Sequence, residues 1–159
     1  MSRIPSLGPR GEGWVAVQLV LLVAIMGACW WPGGRLNWPG MPIVAVVGVL
    51  VLVAGLALVL VGALGLSSSL TVMPRPKEDG LLVTTGLYRS VRHPIYAGVM
   101  AAMLGASLAA RSWVALLLTA ALVVVLDLKT RREEVFLRER FSDYAAYAAR
   151  TKRFIPGIY

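Results

Sequence analysis

Long uncharged hydrophobic runs alternate with short polar stretches along the chain, and this alternation predicts helices that cross a membrane. The first two runs cover residues 14–31 and 43–66, and neither contains a charged residue. Each is long enough to span a bilayer as a helix. Tryptophans stand at both ends of the first run, which suits the headgroup level of a membrane. We therefore expect two transmembrane helices before residue 67.

Two shorter apolar runs follow at residues 96–110 and 113–128, separated by Arg111 and Ser112. Their closeness predicts a short helical hairpin with a tight turn, which is preceded by a polar connection over residues 67–95.

Small residues recur along the second and third runs at helical spacing. They are Gly48, Gly55 and Gly62 in the second run, and Gly98, Ala102, Gly105 and Ala109 in the third. Each set falls near one helix face, and small residues let helices approach closely in lipid. The set in the second run predicts helix packing, whereas the set in the third could serve packing or leave room for a ligand.

The C-terminal segment, residues 129–159, is predicted to form an amphipathic helix with a short apolar end. Its apolar face is formed by Leu137, Phe141, Tyr144 and Ala148. Glu133 falls on the same face and should meet a cation or donor, because a carboxylate in apolar surroundings is costly unless paired. Glu134 precedes Arg138 by four residues, a spacing that favours a surface ion pair.

Composition supports the membrane interpretation. The 159 residues are 58% hydrophobic and 15% charged, with 16 Lys and Arg against 8 Asp and Glu. In a soluble protein the net charge of +8 would indicate nucleic acid. Here the basic residues lie just outside apolar runs, which indicates an anionic membrane surface and membrane lipids as partners, not nucleic acid. One cysteine and one histidine argue against a disulfide and against a metal site built from those residues.

The positive charges also predict an orientation. The N-terminal tail carries two Lys or Arg, the 67–95 loop four and the C-terminal segment eight, against one in each remaining connection. Both termini and the 67–95 loop are therefore predicted to be cytoplasmic, in an inner or plasma membrane. The first run lacks a small-residue cleavage site and is interpreted as a retained span. The expected fold is an all-α membrane protein with about four transmembrane helices and a cytoplasmic C-terminal amphipathic helix.

The stretch TTGLYRSVRHPIYAG, residues 84–98, concentrates polar chemistry where the third run begins. Pro94 suits the first turn of a helix, whose start presents free N–H groups and a partial positive charge. With Arg89, Arg92 and His93 around it, this helix start is a candidate anion-binding corner. Simpler roles stay open: the arginines could meet lipid phosphates, His93 could only cap the helix, and the tyrosines could belong to an interfacial belt.

GLYRSVRHPIYAG resembles the motif G-x-Y-x-x-x-R-H-P-x-Y-x-G of the isoprenylcysteine carboxyl methyltransferase family, which is grouped with the integral-membrane phospholipid methyltransferases. EDGLLVTTG before it and RREEVFLRERFSDYAAYAARTKRFIP after it are similar to that family too. The resemblance covers roughly residues 74–156. It implies methyl transfer from S-adenosylmethionine to a lipid-like acceptor, without a soluble Rossmann domain. Residues 1–66 would then supply a tail and two helices, and residues 67–159 the catalytic half.

Carried over by motif, the resemblance implies a cofactor site bordered from two sides of the chain. Its residues are Tyr88, Arg92, His93, Pro94, Tyr96, Gly98, Glu133, Glu134, Phe154, Ile155 and Pro156. A cationic helix start suits the cofactor carboxylate, a glutamate suits its ribose or ammonium, and aromatic rings suit adenine and sulfonium. Arg92 is the candidate that orients a carboxylate acceptor. Glu133 or Glu134 could instead accept the proton of an amine acceptor.

Two other classes of protein remain open at this stage. Membrane sterol reductases carry a similar HPxYxG-like segment and would use NADPH. A non-enzymatic scaffold or lipid-binding subunit would explain the charges as phosphate contacts and the glycines as packing. The acceptor and the oligomeric state are left open by the sequence.

Overall fold

The computed structural model describes residues 7–8, 11–37, 39–71, 73–75 and 80–159. Five α-helices form the fold: α1 Glu12–Trp30, α2 Met41–Leu66, α3 Pro94–Ala109, α4 Trp113–Arg140 and α5 Tyr144–Arg150. Within these described residues there is no β-strand. Helices α1, α2 and α4 are long and apolar enough to cross a membrane, and α3 is a shorter apolar helix. The predicted all-α membrane fold is confirmed.

Helices α2 and α3 pack against each other through the small residues that the sequence spaces at helical intervals. A β-carbon at Gly55 would overlap the backbone nitrogen of Ala102, and one at Gly48 would overlap that of Ala109. Gly105 returns the contact onto the backbone of Leu52. The backbones therefore touch directly, and packing rather than ligand space accounts for both small-residue sets.

Helices α1 and α4 form the second pair, and a cluster of fully buried apolar side chains lies between them. Its core is Ile25, Ala28, Ala115, Leu122 and Leu126. Many side chains on the outer faces of α1 and α2 are exposed hydrophobic ones, which is the arrangement expected of helices surrounded by lipid. The outer faces of the helix pairs can therefore lie against the hydrocarbon of the bilayer.

Ser112 ties the predicted tight turn to the first helix. Its hydroxyl donates to the carbonyl oxygen of Ala28 at 3.0 Å and accepts from the backbone nitrogen of Ala115 at 3.2 Å. Arg111 adopts φ +57° in the turn, and its carbonyl accepts from the nitrogen of Leu36 at 2.8 Å. These contacts fix the end of the molecule that lies away from the cavity described below.

The second half of the chain departs from the expected boundaries. Helix α4 continues without a break through Arg140, so the hairpin is unequal rather than short. The expected single amphipathic helix is divided, because Phe141 is extended and α5 begins only at Tyr144. Ser142 and Asp143 lie in the break, and short polar side chains of this kind compete with helical hydrogen bonding.

A backbone connection joins the start of α3 to the segment after α5. The nitrogens of Arg92 and His93 donate to the carbonyls of Lys152 and Arg153 at 2.8 and 3.0 Å, and the nitrogen of Lys152 donates to the carbonyl of Ser90 at 3.1 Å. The C-terminal segment is therefore held directly beside the RHP sequence.

Candidate functional site

A cavity of about 320 Å³ lies where the start of α1, the end of α2, the start of α3, the second half of α4 and α5 meet. Hydrophobic side chains make up much of its wall. They include Val15, Leu19, Leu66, Val99, Leu137 and Phe141. A mostly apolar cavity with a few convergent polar groups is the usual form of a small-molecule site.

Five of the residues predicted from the sequence meet on the wall of this cavity. They are Tyr88, Arg92, His93, Tyr96 and Glu133. The other predicted residues lie outside the lining. Tyr96 belongs to the first turn of α3, and Tyr88, Arg92 and His93 belong to the segment that leads into this helix. Helix α4 supplies Glu133.

Glu133 has the donor that its position on an apolar helix face requires. Its Oε2 atom accepts a hydrogen bond from the hydroxyl of Tyr96 at 3.0 Å. The bond joins α3 to α4 at the cavity wall.

Glu134 lies in a separate ion-pair cluster behind the cavity wall. Its Oε1 atom is 3.0 Å from Nε of Arg92, 3.3 Å from Nε of Arg153 and 3.4 Å from Nε2 of His93. The residue is only 5% exposed, so the expected surface pair with Arg138 is wrong. The predicted Glu-Glu pair is divided, because neighbouring helical residues project about 100° apart.

Arg92 holds the C-terminal segment as well as bordering the cavity. Besides pairing with Glu134, its Nη1 atom donates to the carbonyl of Ala148 at 3.0 Å and to the carbonyl of Thr151. Arg89 is exposed and absent from the cavity lining. The expected anion-binding corner is therefore not formed by two arginines, and much of the Arg92 guanidinium serves to position α5.

His93 is buried in the cavity wall, and its Nε2 atom lies 3.4 Å from Oε1 of Glu134. No hydrogen bond from its side chain caps α3, contrary to the simple capping role. Its ring stacks on Tyr96 with the centroids 5.7 Å apart and lies 6.2 Å from the ring of Phe154. Within the described part of the chain, the Tyr144 hydroxyl is buried without a hydrogen-bond partner, and both His93 and Tyr144 line the cavity.

Three buried tyrosines, Tyr88, Tyr144 and Tyr147, line the cavity, and two of them donate hydrogen bonds within the protein. The Tyr88 hydroxyl donates to the carbonyl of Gly62 at 3.2 Å, and that of Tyr147 donates to the carbonyl of Tyr88 at 2.7 Å. Burial raises the pKa of Tyr147 to about 12 and also raises the pKa of Tyr88 and Tyr144. Because Tyr88 is only 5% exposed, it is not an interfacial-belt residue.

The remaining predicted cofactor residues occupy structural or outer positions. Gly98 packs on the backbone of Gly55, and Pro94 is buried in the first turn of α3. Phe154 packs behind His93, while Ile155 and Pro156 are exposed. None of these five residues lines the cavity, so the structure gives no support for direct contact between them and a cofactor.

Lys129 and Gln18 were missed by the sequence analysis. Lys129 is 1% exposed, and its Nζ atom donates to Oε1 of Gln18 at 2.6 Å. The ammonium also lies 5.0 Å from the ring centroid of Tyr96. Two signals could have found them: Lys129 stands one helical turn before Glu133, and Gln18 is the only amide within the first hydrophobic run.

Fold and site together define a helical membrane protein with a cavity between its polar end and its apolar interior. The chain belongs to the phospholipid methyltransferase family, whose model matches residues 43–144. The match extends further towards the N-terminus than the resemblance noted from the motifs, since it includes nearly all of α2. It stops before the RFIP sequence.

A curated relative is the cobalt-zinc-cadmium resistance protein CzcN of Cupriavidus metallidurans. It is 30% identical over 145 residues, which are 91% of this chain and 62% of the relative. The chain thus spans less than two thirds of the length of that protein. The described residues of this chain contain no group of three or more His, Cys, Asp or Glu placed to hold a metal ion.

Proposed function

We propose that the protein transfers a methyl group from S-adenosylmethionine to a lipid-like acceptor. The observation that carries this proposal is the cavity itself, in which Tyr88, His93, Tyr96 and Glu133 converge within a chain of the phospholipid methyltransferase family. The site adjoins apolar helices, so a lipophilic acceptor can lie against the walls while its reactive end reaches the polar groups.

The residues of the cavity fit the chemistry of this cofactor. Glu133 offers a carboxylate to hydroxyl or ammonium donors, and the Tyr96 ring offers a face to adenine or a sulfonium. The Tyr144 hydroxyl is a buried polar atom without a partner in the described part of the chain, and a ligand would supply that partner. The cofactor, when bound, supplies an activated methyl group. The task of these residues is then to hold the reacting groups in line, which alone can lower a barrier by about 7–11 kcal/mol.

The proposed orientation has the cavity on the cytoplasmic side. In the described part of the chain, Arg35 and Arg111 are the only Lys or Arg at the end with the Ser112 turn. The other described basic residues, in the loop before α3 and after Leu128, lie towards the cavity end. Such an asymmetry favours the cytoplasm for the cavity end.

The first test is isothermal titration of the detergent-purified protein with S-adenosylmethionine, S-adenosylhomocysteine and NADPH. We expect saturable binding of both adenosyl ligands and none of NADPH, because the family match supports a methyltransferase rather than a reductase. Binding of NADPH alone would favour the reductase alternative. Folded protein that binds none of the three would favour the non-enzymatic alternative.

Two tyrosines of α5 provide a sharper test of the cavity. Tyr144→Phe removes a hydroxyl that has no partner in the described chain, so we expect unchanged stability and S-adenosylmethionine affinity lowered by about 2- to 10-fold. Tyr147→Phe leaves the Tyr88 carbonyl without its donor and should lower the free energy of unfolding by about 1–2 kcal/mol. Titration and thermal unfolding measure the two effects; wild-type affinity in Tyr144→Phe would remove that hydroxyl from the site.

A further inference from the structure

We propose that Gln18 of α1 is a positioning residue of the cavity, which anchors the Lys129 ammonium beside the Glu133 carboxylate. The first helix thereby takes part in binding the methyl donor. The inference rests on the proposed methyl transfer and deepens it, because the family match covers residues 43–144 and α1 lies outside them. It is carried by a chain of contacts that begins on α1 and ends at Glu133.

The chain of contacts passes through two side chains of the cavity wall. Oε1 of Gln18 accepts a hydrogen bond from Nζ of Lys129 at 2.6 Å. The same ammonium lies 5.0 Å from the ring centroid of Tyr96, whose hydroxyl donates to Oε2 of Glu133 at 3.0 Å. All four residues line the cavity. Helix α1 is therefore joined to the carboxylate by polar contacts as well as by apolar packing.

Lys129 and Glu133 also interact directly through their opposite charges. They stand one turn apart on the same face of α4. A carboxylate in apolar surroundings is costly to hold in its charged form unless a cation or donors compensate for it. His93 faces the same carboxylate from the start of α3, but an imidazole is charged only when it is protonated. The position of the Lys129 ammonium therefore decides how well Glu133 can serve a ligand as a carboxylate.

An anchor is needed because a lysine at this level of the helix has an easier alternative. The apolar run of α4 ends at Leu128, and Lys129 follows it directly. The flexible four-carbon stem of a lysine at the end of a span usually carries its ammonium out to the headgroup level. Here Lys129 is instead only 1% exposed and meets Gln18, the only amide in the first hydrophobic run. The amide thus holds the ammonium inside the protein.

The anchor is tested by acetylating the detergent-solubilised full chain with N-acetoxysuccinimide, without cofactor. Mass spectrometry compares the rate at Lys129 with the rate at Lys152, which is exposed and serves as the internal reference. In the wild type Lys129 should be protected. Gln18→Met removes the acceptor at similar volume, and it should raise the relative rate at Lys129 by about tenfold or more, as the loss of a hydrogen bond to a charged group predicts.

Two matched variants control for a general loosening of the helices. Gln18→Glu keeps an oxygen acceptor and should retain the protection of Lys129. Ile25→Val removes a methylene group from the core between α1 and α4, about 10 Å along α1 from Gln18. It lowers stability without changing the anchor, so labelling of Lys129 and affinity for S-adenosylmethionine should stay within about twofold of the wild type. If Ile25→Val exposes Lys129 as much as Gln18→Met does, the anchor is refuted.

A double-mutant cycle, titrated with S-adenosylmethionine, tests the link to Glu133. Gln18→Met should lower the affinity by about 3- to 10-fold and Lys129→Met by about tenfold. In a Glu133→Gln background each change should alter the affinity by less than about twofold, because the carboxylate that the ammonium serves is gone. A merely structural role would give the same loss in both backgrounds. Thermal unfolding accompanies each titration, and Gln18→Met keeps the cycle decisive if Lys129→Met fails to fold.

Several results would overturn the inference. A Lys129 that stays protected in Gln18→Met would contradict the anchor. Unchanged affinity for S-adenosylmethionine in Gln18→Met and Lys129→Met, or equal losses with and without the Glu133 carboxylate, would contradict the link to the site. A wild type that binds no S-adenosylmethionine would instead refute the proposed function, and the acetylation rates, measured without cofactor, would still decide whether Gln18 anchors Lys129.

Discussion

Gly55→Val should prevent stable packing of α2 on α3 and thereby lower the free energy of unfolding by at least about 3 kcal/mol. A β-carbon at this position would overlap the backbone nitrogen of Ala102 and lie close to the carbonyl oxygen of Gly98. Backbone atoms cannot rotate away as a side chain can, so the two helices must separate along their length. The separation would abolish the close backbone approach by which small residues hold helices together in lipid.

The matched control for this change is Gly27→Val in α1. Gly27 is also a helical glycine in an apolar span, but a β-carbon there would meet no atom within 4 Å. The same substitution should therefore change stability little. Thermal unfolding and size-exclusion profiles of the purified variants measure both effects, and equal losses at the two positions would show that helix packing is not what Gly55 provides.

The spacing of small residues made this interface predictable, because a seven-residue interval returns to nearly the same helix face. The starts and ends of the first two spans were predictable for a similar reason: charges and Pro or Gly interrupt the apolar runs. Local composition is sufficient to predict the bounds of a helix that is surrounded by lipid. Such a prediction does not require knowing which other helix lies beside it.

The path of α4 was harder to predict, because its apolar run ends while the helix continues. Residues 129–140 are highly charged and suggested a new element, yet they complete the same helix. Some of these charges meet partners in distant parts of the chain, as Lys129 meets Gln18 in α1 and Glu134 meets Arg92. A contact between residues more than a hundred positions apart leaves no local pattern, so the cavity wall formed by α1 could not be foreseen.

The segments that carry the motif resemblance contribute residues to the cavity, but only some residues of each segment lie in its lining. Tyr88, His93 and Tyr96 line the cavity, whereas Gly98 of α3 packs against α2. The division of activity between residues 1–66 and 67–159 stays a prediction, and the cavity draws Val15 and Leu66 from the first part. Helix geometry decides which residues of a motif face a ligand and which support the neighbouring helix.

Glu134→Gln should mainly lower stability and Glu133→Gln should mainly lower ligand affinity, although the two residues are adjacent and the chemical change is the same. Glu134→Gln leaves the guanidiniums of Arg92 and Arg153 without their shared carboxylate. Breaking a buried ion pair typically costs about 3–5 kcal/mol. We expect a loss of about 3 kcal/mol here, at the lower end of that range, because Arg153 keeps its pair with Asp127 at 3.1 Å.

The loss in Glu134→Gln should be concentrated in the C-terminal segment. Arg92 connects Glu134 to Ala148 and Thr151, so releasing it should also release α5. Limited proteolysis would then cut after residue 140 at lower protease concentration than in the wild type. Thermal unfolding measures the accompanying loss of stability, and an unchanged proteolytic pattern would contradict the tether.

Glu133→Gln should leave the fold intact and impair the ligand site. The amide oxygen of glutamine can still accept from the Tyr96 hydroxyl, so the free energy of unfolding should change by less than about 1 kcal/mol. The cavity loses its carboxylate, and we expect S-adenosylmethionine affinity to fall by about tenfold or more, as for a hydrogen bond to a charged group. Titration and thermal unfolding of both variants separate the two roles. A stability loss in Glu133→Gln equal to that in Glu134→Gln would mean that the two residues act as one structural unit. A carboxylate that faces a ligand, by contrast, can be replaced at little cost to folding and at a large cost to binding.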